Sequence, residues 1–278
     1  MFRLPSPLRP VDDERLTAAG IRMFLKRDDL IHPDFPGNKW RKLKYNIEAA
    51  QRAGHTTLLT FGGAFSNHLL ATAAAGHHFP FTTVGIVRGE HRDPLNPVLA
   101  AAVRHGMRLE YVDRSRYRQR SDKVFLEHLS EKYGNPYLIP EGGANEQGVR
   151  GCAELVDEIG IPFDILSCSV GTGATLAGVA TRLSPTQRAI GYAALKGDFL
   201  RRDVECLQKT PTTNWEIDTS HHFGGYAKRT RTLDVFIEDF RDRHGVTLNR
   251  VYEAKMMYGI FADLSRFTPG TTVVVLIA

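Results

Sequence analysis

A lysine at the mouth of a helix is the first residue here whose placement asks for chemistry. Pro36-Gly37-Asn38-Lys39-Trp40-Arg41-Lys42-Leu43 reads as a turn at Gly37 running into a helix. Asn38 is placed as the N-cap, and Leu43, Ile47 and Ala50 recur at helical spacing. Lys39 then falls in the first turn, where a cation opposes the helix dipole at a cost of about 0.3–1 kcal/mol. The cost vanishes if the amine is neutral, and a neutral amine is a nucleophile that forms a Schiff base with a carbonyl. Lys42 and Lys44, further along, are expected on a solvated face.

Small-residue loops supply the second ingredient. Gly171-Thr172-Gly173-Ala174-Thr175 follows an apolar run, Asp164–Ser169, and leads into a helix ending near Leu183. Two glycines let the backbone approach closely, two threonines add hydroxyls, and the helix points its free N–H groups at the loop. That is a cradle for a phosphate monoester. No Gly-Lys-Ser/Thr follows, so it is not a Walker A loop. A dinucleotide site would want an acidic residue after the next strand, and Ala193-Ala194-Leu195-Lys196 offers none. A polar cluster, Ser66-Asn67-His68, closes the strand-like run Thr56–Phe61 and its glycine turn. In Pro140–Gly148, Asn145 and Gln147 are placed either to meet a substrate carboxylate or to cap the helix expected over Gly151–Ile159. Cradle, neutral lysine and Ser-Asn-His loop together point to pyridoxal phosphate. Lys39 would hold the aldehyde, Gly171–Thr175 the phosphate, and Asn67 the ring hydroxyl.

The elements that must carry these residues alternate. Strand patterns at Ile21–Lys26, Thr56–Phe61, Phe81–Val87, Arg108–Val112, Pro136–Ile139, Asp164–Ser169, Ala189–Ala194 and Thr271–Ile277 are separated by helical ones. Such alternation predicts an α/β protein with mostly parallel sheets and right-handed crossovers. Ligands then bind at the carboxyl ends of strands, where all three glycine-bearing loops fall.

Composition narrows the classes. At 278 residues the chain can form one large domain or two lobes, and 42% hydrophobic with 24% charged residues is ordinary for a globular protein. The net charge of +5 suits anionic small molecules. The run Arg114, Arg116, Arg118, Arg120 and Lys123 reads as a solvated face, since no nucleic-acid module accompanies it. No apolar run is long enough for a membrane and no signal peptide is evident, so a cytoplasmic protein without nucleic-acid or membrane partners is expected. Three cysteines, Cys152, Cys168 and Cys206, indicate neither a disulfide framework nor a zinc site. His77-His78 and His221-His222 show no metal-ligand spacing, and no metal is expected.

The motifs carry a resemblance. The chain resembles the 1-aminocyclopropane-1-carboxylate deaminase/D-cysteine desulfhydrase family, within the tryptophan-synthase-β-like (fold type II) pyridoxal-phosphate enzymes. The match runs through Lys26-Arg27-Asp28-Asp29, Gly37–Leu43, Ser66-Asn67-His68, Gly171–Gly178, Gly224-Gly225-Tyr226 and Val251-Tyr252-Glu253-Ala254-Lys255. It implies two three-layer αβα lobes, a large one of residues 1–45 plus 147–278 and a small one of 46–146, with the cofactor between them, and a homodimer. It implies that Lys39 bonds the cofactor and shuttles the substrate proton, and that Ser66, Asn67 and His68 face substrate and cofactor. Gly171, Thr172, Gly173, Ala174 and Thr175 would bind phosphate, Tyr226 and Tyr252 line the reacting face, and Glu253 meet the pyridine nitrogen. A carboxylate about 4 Å from that nitrogen favours its protonated form by roughly 4 kcal/mol at an effective dielectric of 20. Ring-opening deaminases carry Glu at this place, whereas Ser-Asn-His matches desulfhydrases more closely. The implied activity is release of ammonia and a 2-oxo acid from a small amino acid.

Two features depart from the family pattern. The chain ends in a strand at Ala278, where family members continue through a Gly-Gly-bearing segment. The stretch from Gly191 to Tyr226, with Trp215, His221 and His222, is short. These departures leave a second reading: a weakly active or non-catalytic protein that binds pyridoxal phosphate or another phosphorylated metabolite.

Overall fold

The computed structural model describes residues 1–278. In chain order the elements open with β1 (Leu8–Val11), α1 (Glu14–Ala18), β2 (Arg22–Arg27), α2 (Lys39–Arg52), β3 (Thr57–Gly63) and α3 (Asn67–His78). They continue with β4 (Thr82–Arg88), α4 (Pro97–Arg104), β5 (Arg108–Val112), α5 (Arg114–Arg118), α6 (Lys123–Lys132), β6 (Tyr137–Ile139) and α7 (Glu146–Asp157). The remainder is β7 (Ile165–Val170), α8 (Ala174–Arg182), β8 (Arg188–Ala193), α9 (Leu200–Leu207), β9 (Trp215–Asp218), α10 (Arg231–His244), α11 (Glu253–Ala262) and β10 (Thr272–Ile277). Short 3₁₀ turns at Asp28–Leu30, Glu141–Gly143 and Leu264–Arg266 complete the chain.

Two compact units result: Met1–Ile31 with Cys152–Ala278, and the inserted His32–Gly151. The inserted unit is a four-stranded parallel sheet in the order β5-β4-β3-β6. One face packs Leu59, Phe61, Val84 and Ile86 against Tyr117, Phe125 and Leu129. The other meets the alanine-rich α3, where Leu69 and Ala73 pack with Leu99, Ala102 and Met107. Small side chains let α3 lie close to β3 and bring its first turn over that strand's carboxyl end. Tyr117 is buried while the arginines around it stay in solvent, so α5 presents the expected solvated basic face.

The outer unit has six strands in the order β1-β2-β10-β7-β8-β9, all parallel except β1 against β2. β10 is buried at all six positions, as a central strand covered on both faces must be. Met23, Leu25, Val273, Val275 and Ile277 face Leu233, Phe240, Met256, Met257 and Ile260 from α10 and α11. At the start of the chain, buried Lys26 donates from Nζ to the Ser6 carbonyl (2.7 Å) and lies 3.2 Å from Glu158 Oε2. Ser6 Oγ donates to Asp28 Oδ1 at 2.6 Å. The Lys26–Asp28 motif therefore staples the opening segment to the sheet.

Candidate active site

Each unit contributes its own set of candidate residues. In the inserted unit, Gly37 has φ +62°, the turn expected of it, and α2 begins at Lys39. Asn38 occupies the N-cap, but its side chain accepts no helix N–H. Its Oδ1 instead lies 3.4 Å from Lys39 Nζ. The cap chemistry is thus turned toward the lysine.

Ser66 is the N-cap of α3, its hydroxyl accepting from Leu69 N at 3.3 Å, and Asn67 and His68 form the first turn. His68 is 2% exposed, and neither ring nitrogen makes a hydrogen bond of good geometry. Burial, then the nearby charges of Lys39 and Lys42, hold its pKa well below the ordinary 6.5, while the Pro140 carbonyl pulls weakly the other way. His68 is therefore a neutral imidazole beside the amine of Lys39. A methyl group built on Gly143 would lie 3.0 Å from Lys42 Cβ and 3.3 Å from His68 Cε1, so the 3₁₀ turn, α2 and α3 converge on one spot.

Two expectations are corrected here. Lys42 is not on a solvated face: it is 6% exposed, because α2 packs along this turn on the side that carries it. The helix expected from Gly151 begins five residues earlier, at Glu146. Asn145 Oδ1 accepts from Gly148 N at 2.9 Å as a cap, and its amide pairs with Asn46 (2.7 Å), whose own amide donates to the Lys42 carbonyl. Asn145 thus caps α7 and fixes α2.

The outer unit carries the cradle. Gly173 sits at φ +85°, a backbone that favours glycine, as N-cap of α8 and with no side chain closing the helix terminus. The Thr172 hydroxyl is buried without a hydrogen-bond partner, an arrangement that costs on the order of 1–3 kcal/mol unless a ligand meets it. Tyr252 lies against the loop, its ring 3.3 Å from where a Cβ on Gly171 would stand. Tyr226, a third exposed, meets Tyr252 edge-on at 6.2 Å between centroids. Glu253, 2% exposed, opens α11 and accepts from Ala278 N at 3.2 Å. An unmet hydroxyl, a positive-φ glycine and an uncapped helix N-terminus fit a phosphate monoester. The residues present therefore suit pyridoxal phosphate.

Two residues gain a part that the sequence did not assign. Lys255 is 1% exposed, and its Nζ donates to the Ala194 (3.0 Å) and Gly225 (2.7 Å) carbonyls. Burial lowers its pKa. His222 Nδ1 accepts from Gly224 N at 3.0 Å. Both hold the Gly224-Gly225-Tyr226 turn. Lys255 lies within a family motif, which was a signal, but nothing in its spacing revealed burial. Trp215 and His221 are structural: Trp215 Nε1 donates to the Thr212 carbonyl, and His221 pairs with Asp218.

The parallel-rich sheets, with small-residue nests at strand ends, match the fold type II pyridoxal-phosphate enzymes. The sequence matches the family described as pyridoxal-phosphate dependent enzyme over residues 2–277. A Pyrococcus furiosus protein named "Putative 1-aminocyclopropane-1-carboxylate deaminase" is 32% identical over 267 residues, covering 89% of this chain and 80% of that one. The mitochondrial bifunctional D-cysteine desulfhydrase/1-aminocyclopropane-1-carboxylate deaminase of Arabidopsis thaliana is 26% identical, covering 89% and 68%. The crystal structure of an ACC deaminase homologue superposes with a TM-score of 0.86 at 25% identity, covering 99% of this chain and 89% of that one. The chain belongs to the pyridoxal-phosphate-dependent enzymes and, within them, to the 1-aminocyclopropane-1-carboxylate deaminase/D-cysteine desulfhydrase family. It is a pyridoxal-phosphate-dependent enzyme. No helix is long and apolar enough to cross a membrane.

Proposed function

We propose that the enzyme removes ammonia from a small amino acid of the 1-aminocyclopropane-1-carboxylate or D-cysteine type and releases a 2-oxo acid, with sulfide leaving as well when the substrate is D-cysteine. Bound pyridoxal phosphate supplies the electron sink that takes up charge left at the substrate α-carbon. Lys39 would hold the cofactor through its aldehyde, and its amine would move the substrate proton: the α-proton of D-cysteine, or a ring-methylene proton of 1-aminocyclopropane-1-carboxylate, which has no α-hydrogen. Gly171, Thr172, Gly173, Ala174 and Thr175 would seat the phosphate, Glu253 would favour a proton on the pyridine nitrogen, and Asn67 would meet the ring hydroxyl. Ser66 and His68 bind the substrate, with Tyr226 and Tyr252 excluding water from its reacting side. The observation that carries the reading is the buried Thr172 hydroxyl at the open terminus of α8, which an anionic phosphate provides with a partner. A homodimer and cytoplasmic residence complete the proposal.

Keto-acid release from 1-aminocyclopropane-1-carboxylate, D-cysteine, D-serine and L-serine tests it, with Lys39→Ala run alongside. Turnover of one of the first two, reduced on the order of 10³-fold in the variant, is expected. Equal turnover by Lys39→Ala removes the lysine from the mechanism. A cofactor-loaded protein that releases no keto acid from any of the four supports the non-catalytic reading instead. Light scattering of the eluted protein tests the dimer.

A further inference from the structure

Away from these residues, the inserted unit gathers histidines around one carboxylate. His32, Asp34 and His78 each offer a ligand atom, and the three atoms lie within 4.8 Å of one another. His78 Nε2 sits 2.7 Å from Asp34 Oδ2. His32 Nδ1 accepts from the Asp34 backbone N–H at 3.2 Å, a bond that an ion taken at this nitrogen would displace. The two rings meet edge-on with centroids 5.0 Å apart. Phe35, wholly buried, packs against both, at 5.5 Å from His32 and 5.7 Å from His78. His32 is buried, Asp34 half-buried and His78 the most open of the three, so the cluster has a dry base and a wet mouth.

We propose that His32, Asp34 and His78 form a binding site for a divalent transition-metal ion of the zinc class. Imidazole nitrogens with one carboxylate are the donor set such ions take, with water in a fourth position where the site is open. Metal–ligand bonds of about 2.0–2.2 Å in a tetrahedral site put donor atoms roughly 3.3 Å apart. The atoms here reach that spacing by lengthening the His78–Asp34 pair and drawing His32 inward. The pattern is invisible in sequence because His78 lies far along the chain from His-Pro-Asp. The ion would join the turn that precedes Lys39 to the last residue of α3, the helix whose first turn holds Asn67 and His68. Its role is a clamp on the lysine-bearing turn, independent of which amino acid the enzyme consumes.

The test uses the untagged, cofactor-loaded enzyme, stripped of metal by a chelator and dialysed. Titration with Co²⁺, followed by its visible ligand-field bands and by displacement with Zn²⁺, reads the site without any turnover. One ion per chain is expected. Asp34→Asn and His78→Ala should each weaken binding by about 100-fold or more, since losing even an outer partner costs roughly 10–100-fold. Asp34→Asn preserves side-chain size, so it reads the same site if His78→Ala does not fold. His77→Ala, which alters a neighbouring ring 5.1 Å from His78, should leave one-ion binding intact. Absence of Co²⁺ binding in the native enzyme, or binding unchanged in both Asp34→Asn and His78→Ala, overturns the proposal.

Discussion

At the residue scale, the candidate site is a set of groups held in states that are expensive in a bare protein. Thr172 buries a hydroxyl without a partner, and Thr172→Val removes that cost along with the donor. The expected outcome is an apoprotein no less stable than the native one, and cofactor held about tenfold less tightly, a difference of about 1.4 kcal/mol. Thermal melts of the apoprotein and equilibrium dialysis of pyridoxal phosphate check the two halves separately. His68 makes a different prediction. The fold keeps it neutral, with Lys39 and Lys42 as the charges facing it, whereas the unfolded chain binds a proton below about pH 6.5. Its contribution is therefore intact above that pH and lost as pH falls, at up to about 1.4 kcal/mol per unit. Urea midpoints measured between pH 7 and 5 should fall less steeply for His68→Gln than for the native protein. Residue types and order made Lys39, Ser66-Asn67-His68 and Gly171–Thr175 legible. Lys42 was not, because helical spacing tells which residues share a face and not how many faces a neighbour will cover.

At the element scale, eight of the ten strands were readable to within two residues, while β1 and β9 were not anticipated. Arg108–Val112 is where alternation placed it, and Thr271–Ile277 differs by one residue from β10. Helix starts were harder: α7 begins at Glu146 because Asn145 caps it, and that cap depends on a turn whose geometry is not local to the helix. The run from 200 to 252 holds α9, β9 and α10, none of which the family motifs marked, whereas Val251–Lys255 falls at the start of α11. The packing of α7 on α2 is tight enough to test. A Cβ on Gly151 would fall 1.9 Å from the Arg41 carbonyl oxygen, backbone that has no rotamer to change. Gly151→Ala should destabilise the enzyme by about 3 kcal/mol, at the upper end for overpacking, and disturb the helix that carries Lys39. Gly160→Ala, with nothing within 4 Å, is the matched control and should stay within roughly 0.5 kcal/mol of the native value in urea.

At the scale of the whole molecule, alternation predicted an α/β protein with mostly parallel sheets, and two mostly parallel sheets with helices on their faces are present. Strand order was not readable, since β2 and β10 become neighbours across the entire inserted unit. That adjacency constrains how the protein can be made. A ribosome releases the chain from its amino end, so residues 32–151 emerge complete, with their own sheet and core, while the surrounding sheet still lacks its middle strand. Five of its six strands must wait, exposed to chaperones, until residues 272–277 clear the exit tunnel. Nascent chains arrested before that point should yield a protease-resistant fragment spanning 32–151 and nothing stable from the flanking segments. Full protection of the flanks in such chains would show that the wide sheet assembles without its axis.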